Sequence, residues 1–172
     1  MSGCSVYLKR GMGVVVDTHL LVETARRRRE KQRGEPRADE ENDIIDCIIT
    51  SCAKLVLSVK QQKESLPHFR RAGFRIPLQQ VGYFAELDKK EKLCGPRTSS
   101  IVAFSSDNRK AFKGRGHDNV TDDVHLYECA AARGGLVITT DSNLLGRSTD
   151  LCKAVGVRTL SPHDILNREE HP

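Results

Sequence analysis

The 172-residue chain predicts an α/β fold in which helices cover both faces of a mainly parallel central sheet, a three-layer α/β/α sandwich. Three observations carry that prediction. "GVVVD" (13–17) and "LVITTD" (136–141) are short apolar, β-branched runs, the pattern of strands buried on both faces, and each ends on an acid. Strand-like and helix-like segments alternate along the chain. No segment repeats and no break in composition marks a second domain, so residues 1–172 read as one domain, a length at which about two thirds of the unfolded surface can be buried.

In order, "GVVVD" is the first strand and "THLLVETARRRREK" the helix after it, with apolar Leu20, Leu21 and Ala25 before the sequence turns wholly charged. The charged helix end and the loop "RGEPRADEEN" together make 24–40 a mobile basic segment. "DIIDCIITSCA" carries Ile44, Ile45, Ile48 and Ile49 at helical spacing, behind the acids of 39–42. "KLVLS" is a second short strand, and "VKQQKESL" is helical until Pro67. "SIVAFS" (100–105) reads as a further strand and "SDNRKAFKGRGHDN" as an exposed basic loop. "TDDVHLYECAAARGG" is a helix opened by acids and closed by Gly134-Gly135. "LVITTD" follows as a strand, Leu144-Leu145 begin a helix, "GVRTLS" is a last strand, and Pro162 opens a closing helix.

Lys and Arg number 28 against 23 Asp and Glu, a formal charge of +5, which suits a polyanionic partner without identifying one. The cations concentrate between Ala25 and Arg37, whereas acids recur singly where apolar runs end. No signal-peptide pattern and no apolar run near the ~20 residues of a membrane span is present, so the expected location is the cytoplasm, with no membrane association. The six cysteines form no CxxC pair and no zinc-type spacing, and their redox state is open.

In an open parallel sheet, ligands bind outside the carboxyl ends of the strands. Asp17 and Asp141 are therefore expected neighbours. Glu64 follows the second strand by six residues, and Asp122 and Asp123 open a helix that leads back into the sheet. Carboxylates gathered there repel one another unless a cation offsets them. An all-oxygen donor set suits Mg²⁺ or Mn²⁺ better than zinc, and such an ion can activate water and stabilise charge on a phosphate.

With those residues in place, the chain resembles the PIN-domain metal-dependent ribonucleases. "VVVDTHLL" is similar to the family's first motif, "LVLSVKQQKESL" to its second, and "DDVHLYECAAARGGLVITTDSNLL" to its third and fourth. The resemblance covers most of the chain in the family's own order. It implies a PIN-like fold with Asp17, Glu64, Asp123 and Asp141 as catalytic metal ligands, supported by Thr139, with Asp122 competing with Asp123. It departs from the family at His19, where Asn or Ser is usual, and at Asn143, where some members carry a further acid that would serve a second metal. The implied activity is endoribonucleolytic hydrolysis of phosphodiesters that leaves 5′-phosphate and 3′-hydroxyl ends. The implied roles are the toxin of a toxin–antitoxin pair, held by an antitoxin-like protein inhibitor, or an RNA-processing nuclease; the implied assembly is a homodimer.

RNA contacts are expected from Arg26, Arg27, Arg28 and Arg29 and from Lys113 and Arg115, against the plainer reading that such runs are solvated faces. Each acid alone could equally be a helix cap, Glu64 a solvated helix residue, and the histidines, His125 among them, surface or satisfied groups. A catalytically inactive PIN-like module that binds RNA or protein is the alternative. No dinucleotide-type glycine turn, P-loop or GxSxG elbow is present, and the second Asp of a haloacid dehalogenase is replaced by His19.

Overall fold

The computed structural model describes residues 7–32, 44, 47–48, 51, 53–58, 60–61, 64, 103–114, 119–133 and 135–166. Four strands form one sheet: β1 (Gly13–Val16), β2 (Lys54–Val56), β3 (Leu136–Ile138) and β4 (Arg158–Leu160). Every pairing is parallel and the order is β2-β1-β3-β4. The helices are α1 (Thr18–Gln32), α2 (Ser106–Lys110), α3 (Val124–Arg133), α4 (Ser142–Gly146), α5 (Ser148–Val155) and α6 (Pro162–Leu166). Ile44, Cys47 and Ile48 are also helical, as are Lys60, Gln61 and Glu64, and a 3₁₀ turn at Thr121–Asp123 leads into α3.

The valine run forms a strand because β-branched side chains fit a pleated surface and because this strand lies between two others. Alternate residues divide between two cores, as the two-residue period of a strand requires. Val14, Val16, Leu55, Leu136 and Ile138 join Leu20, Leu21, Ile44, Ile48 and Ile165 in one cluster. Val15, Val56 and Val137 join Phe112, Leu126, Tyr127, Leu144 and Leu151 in the other. Full burial of each such side chain contributes about 1.5–3 kcal/mol, so an unbroken apolar run is stable only with both faces covered. Tyr127 packs edge-on against Phe112 at 5.0 Å, and its hydroxyl meets the Thr159 hydroxyl at 2.7 Å. Burial pushes that phenol well above its ordinary pKa, although the Thr159 contact acts the other way.

Two expectations are corrected. Residues 103–105 of "SIVAFS" are not extended in a strand, and residues 100–102 lie outside the described part. Phe104 instead turns into the second core, stacking with Phe112 at 6.1 Å, and Ser105 Oγ accepts the Asn108 N–H to start α2. Asp107 in the first turn of α2 and Arg109 and Lys110 in the last match the helix dipole, so the start of the expected basic loop is a short helix. Of the segment 24–40, expected to be a helix end followed by a loop, the part to Gln32 is helical and Thr24 is buried; residues 33–40 lie outside the described part. No helix among the described residues is long and apolar enough to cross a membrane.

The C-terminal half turns on two left-handed glycines. Gly135, at φ 76°, ends α3 with its N–H on Ala130 O at 2.7 Å, and Gly156, at φ 71°, ends α5 with its N–H on Cys152 O at 2.9 Å. The two turns abut: a Cβ on Gly135 would lie 3.1 Å from the Gly156 carbonyl, whereas one on Gly156 would meet nothing within 4 Å. Gly156→Ala should therefore cost only the left-handed penalty of about 1–2 kcal/mol. Gly135→Ala should cost more because a backbone carbonyl must also move, and urea denaturation of the two variants side by side checks the order.

Candidate functional site

β1 and β3 lie side by side at the point where the strand order reverses, β2 having been added on the far side of β1. Their carboxyl ends therefore flank the crevice at which parallel sheets bind ligands. The ladder continues one step beyond the strands, with the Asp17 N–H on Ile138 O at 2.9 Å and the Thr139 N–H on Leu160 O at 3.0 Å. That step sets the Thr139 hydroxyl against Asp17, donating to Oδ2 at 2.7 Å, while Thr139 Oγ1 accepts the Asp141 N–H at 3.0 Å. Thr139 is fully buried and links the two strand-end acids.

Both acids also cap helices, so the plainer role and the site role coexist. Asp17 Oδ1 accepts the His19 N–H at 3.2 Å at the start of α1. Asp141 Oδ1 accepts the N–H groups of Asn143 at 2.7 Å and Leu144 at 3.4 Å at the start of α4. These donors fix where each carboxylate points.

A cleft of about 360 Å³ opens beside them, and Asp17, His19, Lys60, Glu64, Asp123 and His125 are on its walls. Three of the four acids expected to act together therefore share one cavity. Asp141 is not on the cleft wall, but its charge reaches Asp123. Burial, then the nearby Asp17 and Asp141 carboxylates, push the Asp123 pKa up to about 6, with Lys60 acting in the opposite direction. Of the adjacent pair, Asp123 faces the cleft, whereas Asp122 is exposed and offers its main-chain carbonyl to Lys60 Nζ at 3.0 Å. Glu64 is 44% exposed and held loosely, with Thr18 Oγ1 at 3.5 Å and Lys60 Nζ at 3.9 Å.

Oxygen is the only donor these acids offer, which fits a hard divalent cation. Among the described residues no three His, Cys, Asp or Glu side chains stand close enough to ligate one ion directly. A Mg²⁺-type ion is commonly held by one or two carboxylates with water filling the remaining positions, and the cleft suits that mode.

The expected RNA contacts fare unevenly. Arg26 and Arg27 both pair with Glu23, Arg27 at 3.2 Å. Burial would raise the Glu23 pKa, but these two guanidiniums outweigh it and hold it below its ordinary value. Arg28 and Arg29 lie in α1 with side chains outside the described part, as does the whole of Arg115. Lys113 is exposed and is not on the cleft wall.

Two groups that sequence reasoning did not select are at the site. Lys60 is not among the expected site residues, and His125 is expected only as a surface or satisfied histidine, the second of which its Ser58 contact makes it. His125 Nδ1 is 2.6 Å from Ser58 Oγ, and burial, then Lys60, lower its pKa to about 4, so the ring is neutral near pH 7. Ser58 and Gln61 form a reciprocal capping box: the Gln61 N–H donates to Ser58 Oγ at 3.0 Å and the Ser58 N–H to Gln61 Oε1 at 3.1 Å. The Ser-x-x-Gln spacing was a visible signal for that helix start.

Asp123 ties stability to pH with a definite sign. Its pKa is raised on folding, so its contribution favours the fold at low pH and is lost as the pH rises through about 6. Asp123→Asn should stabilise the metal-free protein by about 1–2 kcal/mol at pH 8, the ~1.4 kcal/mol per pKa unit being reduced by solvent screening of a half-buried group. The gain should vanish below about pH 4, where the acid is protonated in both states. Urea denaturation of both proteins in EDTA across that range checks the prediction. No family model, no curated protein and no solved structure matches the chain.

Proposed function

We propose that the chain is a PIN-like, three-layer α/β/α metal-dependent endoribonuclease. The observation that carries this reading is the meeting of Asp17, Glu64 and Asp123 in one cleft beyond the carboxyl ends of the strands, with Thr139 joining Asp17 to Asp141. These are the positions singled out by the resemblance to the PIN-domain ribonucleases. Structural caps alone have no reason to crowd Asp123 against two other carboxylates, at a cost in stability.

In this reading Asp17, Asp123, Glu64 and Asp141 would hold Mg²⁺ or Mn²⁺, one or two of them directly and the others through water. When bound, the ion would supply an activated water and neutralise charge building on the phosphate. The chain's own residues do the rest. The His19 N–H and the Thr139 hydroxyl hold the Asp17 carboxylate in one orientation, so it does not have to be ordered when substrate arrives. The Asn143 and Leu144 N–H groups do the same for Asp141. An added cation would offset the repulsion that Asp17 and Asp141 exert on Asp123. Glu64, more exposed and weakly held, can adjust as the site fills.

A second reading, a PIN-like module that binds RNA without cutting it, is favoured by the caps, which already occupy one oxygen each of Asp17 and Asp141. Both readings are tested on labelled single-stranded RNA in Mn²⁺, Mg²⁺ and EDTA, with wild type, Asp17→Asn and Asp141→Asn. Asn caps helices about as well as Asp, so the folds should persist. Cleavage is expected only with metal, falling on the order of 10²-fold or more in each variant. Mn²⁺ should also raise the thermal midpoint of wild type more than that of either variant. An inert wild type that binds RNA would favour the non-cutting module.

A further inference from the structure

The cleft wall that carries the acids also carries two hydrogen-bond donors, and the helical turn after β2 sets both. Ser58 Oγ accepts the Gln61 N–H and lies 2.6 Å from His125 Nδ1, which anchors that edge of the ring. With Nδ1 engaged by Ser58, Nε2 is the ring nitrogen left for a ligand, and His125 is on the cleft wall. Lys60 sits in the same turn, 45% exposed, with three N–H groups. One goes to the Asp122 carbonyl at 3.0 Å, and the Glu64 carboxylate is only loosely approached at 3.9 Å. An ammonium that served only to balance acids would close on a carboxylate, whereas this one is steered by a main-chain carbonyl and keeps donor capacity. The turn is itself fixed to the site, because buried Gln61 donates through Nε2 to Val16 O at 2.7 Å, one residue before Asp17.

We propose that Lys60 Nζ and His125 Nε2–H bind the non-bridging oxygens of one phosphate of the RNA backbone, next to the carboxylates. The inference rests on the nuclease reading insofar as it takes the cleft to be the RNA site, and it adds the substrate-binding residues that the acids cannot supply. A strand approaching four carboxylates needs a fixed positive group at the point of contact, and Lys60 provides it inside the cleft, whereas Arg26 and Arg27 are paired with Glu23.

The test is equilibrium binding of a fluorescein-labelled single-stranded RNA in EDTA, followed by anisotropy across a KCl series. Lys60→Met should weaken binding roughly tenfold at low salt and flatten the slope of log affinity against log salt by about 0.7, one phosphate contact on a single strand. Lys60→Arg should restore the slope. His125→Ala should weaken binding several-fold, through loss of its hydrogen bond to the same phosphate. The melting curves of the two Lys60 variants should be unmoved, since Lys60 is half exposed. If Lys60→Met and His125→Ala both bind as wild type does, this inference is overturned while metal-dependent cleavage can still stand. If wild type binds with the Lys60 dependence but never cleaves, the nuclease reading is overturned and this one holds. If wild type binds no RNA in EDTA, this inference is overturned while metal-dependent cleavage can still stand.

Discussion

Val16 and Ile138 are register partners at the carboxyl ends of the two central strands, so Asp17 and Thr139 are brought side by side before any side chain is considered. The hydroxyl–carboxylate bond of 2.7 Å, and through it the placement of Asp141, follows from that pairing. A slip of one residue between β1 and β3 would reverse every side chain on one strand, exposing Val14 or Val15 to the wrong core and turning Thr139 away from Asp17. The two apolar clusters therefore enforce the register that assembles the acids. Packing and site geometry share one cause.

The acids do not bear their mutual repulsion equally. Asp17 and Asp141 each accept main-chain N–H groups at a helix start, where the dipole also favours negative charge. Asp123 sits half-buried at the 3₁₀ turn before α3, and no described donor reaches its carboxylate. Burial, then the neighbouring carboxylates, raise its pKa. Capping and ligand binding are often set against each other as explanations of a strand-end aspartate. Here the cap is the means by which the carboxylate is held still.

The parts of this arrangement that depend on local order were legible in the residues. "GVVVD" and "LVITTD" announced buried strands ending in acids, and "TDDVHLYECAAARGG" announced its helix through its opening acids and closing glycines. "SIVAFS" misled because a short apolar run has no period long enough to separate a strand from a segment that drops one aromatic into a core, which is what Phe104 does. Lys60 and His125 were illegible for a different reason. Their roles come from contacts 62 and 67 residues apart in the chain, from Lys60 to Asp122 and from Ser58 to His125, and no local pattern encodes them. The capping box at Ser58 and Gln61 was local and could have been read.

The position of β1 has a consequence for the order in which the molecule opens. It is hydrogen-bonded on both sides, and Val14, Val15 and Val16 are almost completely shielded from solvent, whereas β2 and β4 are the outer strands of the described sheet. Amide exchange in such a sheet proceeds from its margins inward, with central strands yielding only when the whole structure does. Asp17 and Thr139 are attached to the two inner strands. The frame of the carboxylate cleft thus belongs to the slowest-breathing part of the protein, and local fluctuations elsewhere can come and go without dispersing it.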